Sequence, residues 1–80
     1  MYFTSKTHPE GRQIIDMISG QPVAVYKTGN AESRTEAEEQ ARTARIELLN
    51  NLSSAGLIIN DGRVLPLPTL QQAFRQYQAL

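Results

Sequence analysis

The stretch SRTEAEEQARTARIELLNNLSS, residues 33–54, decides the fold of this chain. Five small or apolar residues recur in it at helical spacing and fall on one side: Ala37, Ala41, Ala44, Leu48 and Leu52. Ser33 and Glu36 have the spacing of a capping box, and the run that ends at Gly56 is typical of a helix end. The sequence therefore predicts one helix over Ser33–Ser54, continuous through Thr43.

Three shorter elements are predicted before this helix. Residues 1–5 are expected to form a short edge strand. A capping-box pattern at Thr7, followed by a short isoleucine stripe, predicts a helix over Pro9–Ser19. The run Val23–Lys27 is rich in β-forming residues and precedes a Thr-Gly-Asn turn signal, so it predicts a strand.

Two further elements are predicted after the helix. Apolar stretches flank an Asn-Asp-Gly-Arg turn, and Asp-Gly is a favoured hairpin pair, which predicts a β-hairpin over Leu57–Leu67. A third capping-box pattern at Thr69 begins a final helix, whose apolar face consists of Leu70, Ala73, Phe74 and Tyr77. The predicted order is (β)-α-β-α-β-β-α, within a single α+β domain over residues 1–80.

The stretch RIELLNNLSSAGLIINDGRVLPLP, residues 45–68, resembles the back half of a winged-helix domain. In that family a helix ending in Leu-Leu-x-x-Leu is followed by Gly-Leu-Ile, a β-hairpin wing and a closing helix. The resemblance implies a winged-helix-like fold. The alternative is a long helix packed on a small antiparallel sheet, because no helix–turn–helix pair precedes Arg45.

The composition excludes several classes of function. The eight basic residues balance the eight acidic ones, and the chain has no cysteine, which removes thiolate metal sites and favours a reducing, cytoplasmic compartment. No apolar run approaches the roughly 18 residues of a membrane span. His8 is the only histidine, and Glu36, Glu38 and Glu39 crowd one helix turn, where they suit the helix dipole. We therefore expect no enzyme activity, no cofactor and no bound metal.

A non-catalytic protein-interaction module is the leading interpretation. Ile46 lies nearly opposite the alanine–leucine stripe, with Leu49 between the two, and Arg63 lies at the tip of the predicted hairpin. These three residues are the predicted contacts for a protein partner or for a second copy in a homodimer. The small size suggests an accessory or regulatory factor of bacterial or phage type.

A winged-helix DNA-binding regulator is the alternative. It would use five side chains on the helix and the wing: Arg42, Arg45, Asn50, Asn51 and Arg63. The three arginines would then lie on one surface. Glu36, Glu39 and Glu47 oppose this interpretation, because a continuous helix turns these carboxylates outward, where they repel phosphates.

Overall fold

A computed structural model describes residues 2–80. Three strands come first, namely β1 (Phe3–His8), β2 (Gly11–Asp16) and β3 (Pro22–Tyr26), and two helices follow, α1 (Ala31–Ser54) and α2 (Leu67–Gln78). The strands form an antiparallel sheet in the order β1-β2-β3, so β2 is central. The predicted class is confirmed, since a long helix packs on a small antiparallel sheet. Met1, in the predicted first strand, lies outside the described residues.

The helix predicted over Pro9–Ser19 is wrong, because this segment forms the β1–β2 turn, strand β2 and the turn that follows it. Ile14 and Asp16 are buried on one face of β2, and the buried Ile18 lies in the turn that follows the strand. A spacing of four residues between isoleucines fits both one turn of a helix and two periods of a strand. The stripe alone therefore did not distinguish the two structures.

A two-residue loop, Pro9-Glu10, joins β1 to β2, with His8 paired to Gly11. Gly11 has a φ of +143°, and a Cβ at this position would overlap the carbonyl oxygen of Tyr26 in β3. Only glycine fits this close approach of two backbones. The glycine that weakens a helix in this segment thus allows tight packing in the sheet.

Helix α1 begins at Ala31, two residues before its predicted start, because Asn30 caps it by accepting a hydrogen bond from the Ser33 N–H (2.9 Å). It continues without a break to Ser54, as predicted. Gly56, with a φ of +76°, then reverses the chain. The 24 residues span about 36 Å, so the helix sets the 40 Å long axis of the molecule.

The core lies between α1 and one face of the sheet. Ile14 and Ala24 from the sheet pack against Ala37 and Ala41 of the helix, and all four are buried. Alanines at these positions let the helix lie close to the strands. Farther along α1, Leu52 is fully buried, and the helix also contacts α2.

The predicted hairpin over Leu57–Leu67 is also wrong, because residues 57–66 form no strand. Pro66 is the N-cap of α2 and Pro68 lies in its first turn, so this helix begins two residues before Thr69. Two prolines lack the N–H groups that a strand needs for pairing. Val64 remains 89% exposed.

Candidate functional site

Helix α1 packs over β3 and β2 and leaves a groove along β1. Three residues of the strand, Phe3, Thr4 and Ser5, form one wall, and three residues of the helix, Arg34, Glu38 and Arg42, form the other. Ile14, Tyr26 and Ala41 form the floor. We call this feature the β1 groove; its volume is about 360 Å³.

Two aromatic rings in the β1 groove are each covered by a guanidinium group. The Arg45 guanidinium carbon lies 4.3 Å from the Phe3 ring centre, and that of Arg34 lies 5.9 Å from the Tyr26 ring centre. Both distances are in the range of cation–π contacts. The rings therefore contribute apolar edges to the groove, while a cation occupies one face of each.

The outer edge of β1 carries free backbone groups. The Met17 N–H donates to the Tyr2 carbonyl oxygen (2.8 Å), which makes these two residues a hydrogen-bonded pair at the start of the ladder. Hydrogen-bonded and non-hydrogen-bonded pairs alternate along antiparallel strands. Phe3, Ser5 and Thr7 are therefore in the non-hydrogen-bonded pairs, and their N–H and C=O groups point outward. Among residues 2–80, no strand pairs with this edge.

The same three residues turn their side chains toward the helix-covered face. Side chains alternate between the two faces of a strand, and Phe3 and Ser5 are opposite Asp16 and Ile14, which face α1. Thr7 follows on the same face. One set of residues thus provides both the open backbone edge and one wall of the groove.

Charges around the β1 groove are unevenly compensated. Arg34 and Glu38 are 4.0 Å apart, and each side chain is roughly half exposed. In residues 2–80, no carboxylate lies within 4.0 Å of the Arg42 guanidinium. Arg12 donates to the hydroxyl oxygens of Ser5 (2.9 Å) and Thr7 (3.5 Å), which carry no charge.

A buried ion pair closes the end of the sheet beside the groove. Arg45 donates from Nε to Oδ2 of Asp16 (2.8 Å), and from Nη2 to Oδ1 (2.9 Å) and to the Tyr2 carbonyl oxygen (2.8 Å). The Ile18 N–H donates to the same carboxylate (2.8 Å). The Asp16 side chain is only 2% exposed and that of Arg45 only 12%. We call the Asp16–Arg45 pair with its Tyr2 contact the arginine anchor, because it fixes α1 to β1 and β2.

The predicted partner-binding residues lie on two elements. Ile46 is 60% exposed on α1, and Leu49, one turn farther on, is half-buried. Arg63 lies in the segment between the helices and is paired with Asp61 (2.8 Å). The Arg63 side chain, and secondly its backbone N–H, lower the pKa of the Asp61 carboxyl by hydrogen bonding.

The predicted DNA-binding residues have different surroundings. Arg42 lies on the rim of the β1 groove, whereas the arginine anchor holds Arg45 away from solvent. Asn50 accepts a long hydrogen bond from Asn60 (3.4 Å), and the adjacent Asn51 is exposed. Arg63 is tied to its own segment. The continuous helix also keeps Glu36, Glu39 and Glu47 exposed, as the sequence predicted.

Reasoning from sequence did not identify the residues of the outer edge, Ser5 and Thr7, or the buried Asp16. The alternating pattern Phe-Thr-Ser-Lys-Thr-His was the available signal for a longer first strand. Asp16 lies midway between Ile14 and Ile18. If the segment is extended, this spacing places the carboxylate on the buried face and indicates a buried ion pair.

Comparison with family models, with characterised proteins and with solved structures gives no match to this chain. The winged-helix resemblance of residues 45–68 therefore stays a prediction. Neither helix in the described part of the chain is long and apolar enough to cross a membrane. Residues 2–80 bring together no cluster of three His, Cys, Asp or Glu side chains suited to a metal ion.

Proposed function

We propose that this chain is a non-catalytic protein-interaction domain that binds an extended segment of a partner protein along the outer edge of β1. The observation that carries this proposal is the double role of Phe3, Ser5 and Thr7. Their outward backbone groups match the hydrogen-bonding needs of an added strand, and their side chains border the β1 groove. Strand addition uses these two elements together, backbone pairing for affinity and adjacent pockets for specificity.

The geometry of an added strand agrees with the shape of the groove. Alternate side chains of a strand that pairs with β1 would point toward α1 and enter the β1 groove. The remaining side chains would lie on the opposite face, beside Lys6. Because α1 packs mainly on β3 and β2, the space above β1 stays open to such side chains.

The aromatic residues favour a peptide over a single-stranded nucleic acid. Nucleic-acid strands bind to proteins largely by stacking bases on free aromatic faces. Here the guanidinium groups of Arg45 and Arg34 each occupy a face of Phe3 and Tyr26. These two rings are therefore poorly placed as a stacking platform.

The test is selection from a displayed library of random ten-residue peptides against the full chain and two variants. Ser5→Pro removes an outward N–H without removing a bond to β2, and proline is tolerated at such edge positions. Ser5→Ala is the matched control, because both variants lose the hydroxyl group that Arg12 contacts. We expect the wild type and Ser5→Ala to enrich the same peptides and Ser5→Pro to lose them.

A third variant distinguishes the edge from the exposed apolar residue on α1. Ile46→Asp changes a side chain that is 60% exposed and lies outside the β1 groove. Under the proposal it retains the selected peptides. Loss of binding in Ile46→Asp together with retention in Ser5→Pro would place the interface on α1 and refute strand addition. Failure of the wild type to enrich any peptide would also count against the proposal.

A further inference from the structure

We infer that the segment bound along β1 is acidic, with a carboxylate facing Arg42. This inference rests on the proposed function and specifies the chemistry of the partner. Arg42 is an exposed cation on the rim of the groove, and no carboxylate in the described chain lies within 4.0 Å of it. Helix α1 thus holds Arg42 at the rim of the groove, and its guanidinium group is available to a carboxylate of the bound segment.

Positive charge surrounds β1 on both faces of the sheet. On the face toward α1, Arg12 lies across the strand and reaches the hydroxyl groups of Ser5 and Thr7. On the other face, Lys6 is exposed at the middle of β1. Neither Arg12 nor Lys6 forms an ion pair within residues 2–80. An acidic strand at this edge would be attracted from both sides.

The carboxylates near the groove do not neutralise this charge. Asp16 is already bound to Arg45 inside the arginine anchor. Glu38 lies 4.0 Å from Arg34 on the same wall of the groove and offsets that charge. Arg42, Arg12 and Lys6 remain without a carboxylate within 4.0 Å in the described residues. Most glutamates of α1 line its opposite, outward side. The chain therefore has an acidic surface and a basic one, and the open strand edge lies on the basic one.

The same charges disfavour a second copy of this chain as the occupant. Pairing of β1 with β1 would bring Lys6, Arg12 and Arg42 of one copy next to those of the other. Like charges opposite each other destabilise neighbouring strands. Lysine on an edge strand is also a known device that prevents indiscriminate pairing between identical edges. A partner segment with carboxylates meets neither obstacle.

The test compares the sequences enriched from the same random ten-residue library by wild type, Arg42→Glu and Arg75→Glu. Arg75 is exposed on α2, outside the β1 groove, so its variant controls for the change in net charge. We expect wild type and Arg75→Glu to enrich Asp and Glu at alternate positions, and Arg42→Glu to enrich Lys or Arg there. In an enriched peptide, Glu→Gln should weaken binding about two- to fivefold, as for a partly exposed ion pair.

Two results would overturn this inference while leaving strand addition intact. One is enrichment of neutral or basic peptides that Ser5→Pro still abolishes. The other is an identical set of peptides for wild type and Arg42→Glu. Binding of a 20-nucleotide oligo-dT as tight as that of the enriched peptides would also overturn it, because the groove would then select polyanions of another class. Loss of all peptide enrichment contradicts the proposed function itself.

Discussion

Two arginines three residues apart on α1 have opposite surroundings. Arg45 is enclosed in the arginine anchor, where two oxygens of Asp16 and one backbone carbonyl accept its hydrogen bonds. Arg42 lies on the rim of the β1 groove, exposed and without a carboxylate within 4.0 Å in residues 2–80. The difference shows that one face of a helix can both fix the fold and present charge. Whether a carboxylate lies beside the arginine decides whether that arginine fixes the fold or presents its charge to solvent.

The largest expected effect concerns the arginine anchor. Arg45→Ala leaves the buried Asp16 carboxylate without its cation, which costs roughly 3–5 kcal/mol of the free energy of unfolding. Arg42→Ala is the matched control and should change stability by less than about 0.5 kcal/mol. Guanidinium chloride denaturation followed by circular dichroism measures both. Equal losses in the two variants would show that the comparison between the anchor and the groove is mistaken.

The next effect concerns the buried part of α1. Leu52 is fully buried, whereas Leu48, the leucine one turn before it on the same stripe, is only half-buried. Leu52→Ala should therefore lower the free energy of unfolding by about 2–5 kcal/mol. Leu48→Ala should cost less, although the sequence pattern alone gave it the same weight. Thermal and chemical denaturation of the two variants test this order, and a larger loss in Leu48→Ala contradicts the packing described here.

A smaller effect on stability distinguishes the edge of β1 that pairs with β2 from its open outer edge. Lys6→Pro removes an N–H that pairs with β2, whereas Ser5→Pro removes one that points outward. Lys6→Pro should therefore destabilise the protein by at least about 1 kcal/mol more than Ser5→Pro, the value of a typical hydrogen bond. Denaturation midpoints give the difference. A larger loss in Ser5→Pro would mean that the N–H of Ser5, and not that of Lys6, pairs with β2. Ser5 would then not lie on the open edge.

The smallest effect concerns Arg63 and Asp61, outside both regions. Hydrogen bonds from Arg63 lower the pKa of the Asp61 carboxyl, so any stabilisation is present above the ordinary pKa and is lost as the pH falls through the lowered one. Arg63→Ala should raise the pKa of Asp61 toward its ordinary value. It should leave the denaturation midpoint unchanged, since the ion pair lies on the surface. NMR titration of the Asp61 side-chain carbon measures this. An unchanged pKa would exclude the ion pair in solution.

The helix α1 was predictable because its stripe of alanines and leucines runs from Ala37 to Leu52, about four turns, which is long enough to exclude other periods. The start of the helix was not predictable in the same way. The sequence has a capping pattern at Ser33, but the N-cap is Asn30. The patterns at Thr7 and Thr69 misled in the same way. Thr7, Ser33 and Thr69 thus all matched the motif without being the N-cap of a helix. The motif records only residues close in sequence, whereas contacts with distant segments decide where a helix begins.

The other misassignments share one physical cause. Strand β2 depends on partners in β1 and β3, and the close approach at Gly11 becomes visible only when β3 is placed. The Asp-Gly turn at residues 61–62 has no paired strands, because Pro66 and Pro68 start a helix instead. The β1 groove was unpredictable for the same reason, since it is defined by where α1 does not cover the sheet.

Amide hydrogen exchange along β1 tests the central claim, the open outer edge, most directly. In two-dimensional NMR spectra of the free protein, the amides of Phe3, Ser5 and Thr7 should exchange rapidly because they point to solvent. Those of Thr4, Lys6 and His8 should be protected by pairing with β2. Alternation of fast and slow exchange with a period of two residues is the predicted result. Uniform protection of all six amides would show that the edge is already covered, and would contradict the account.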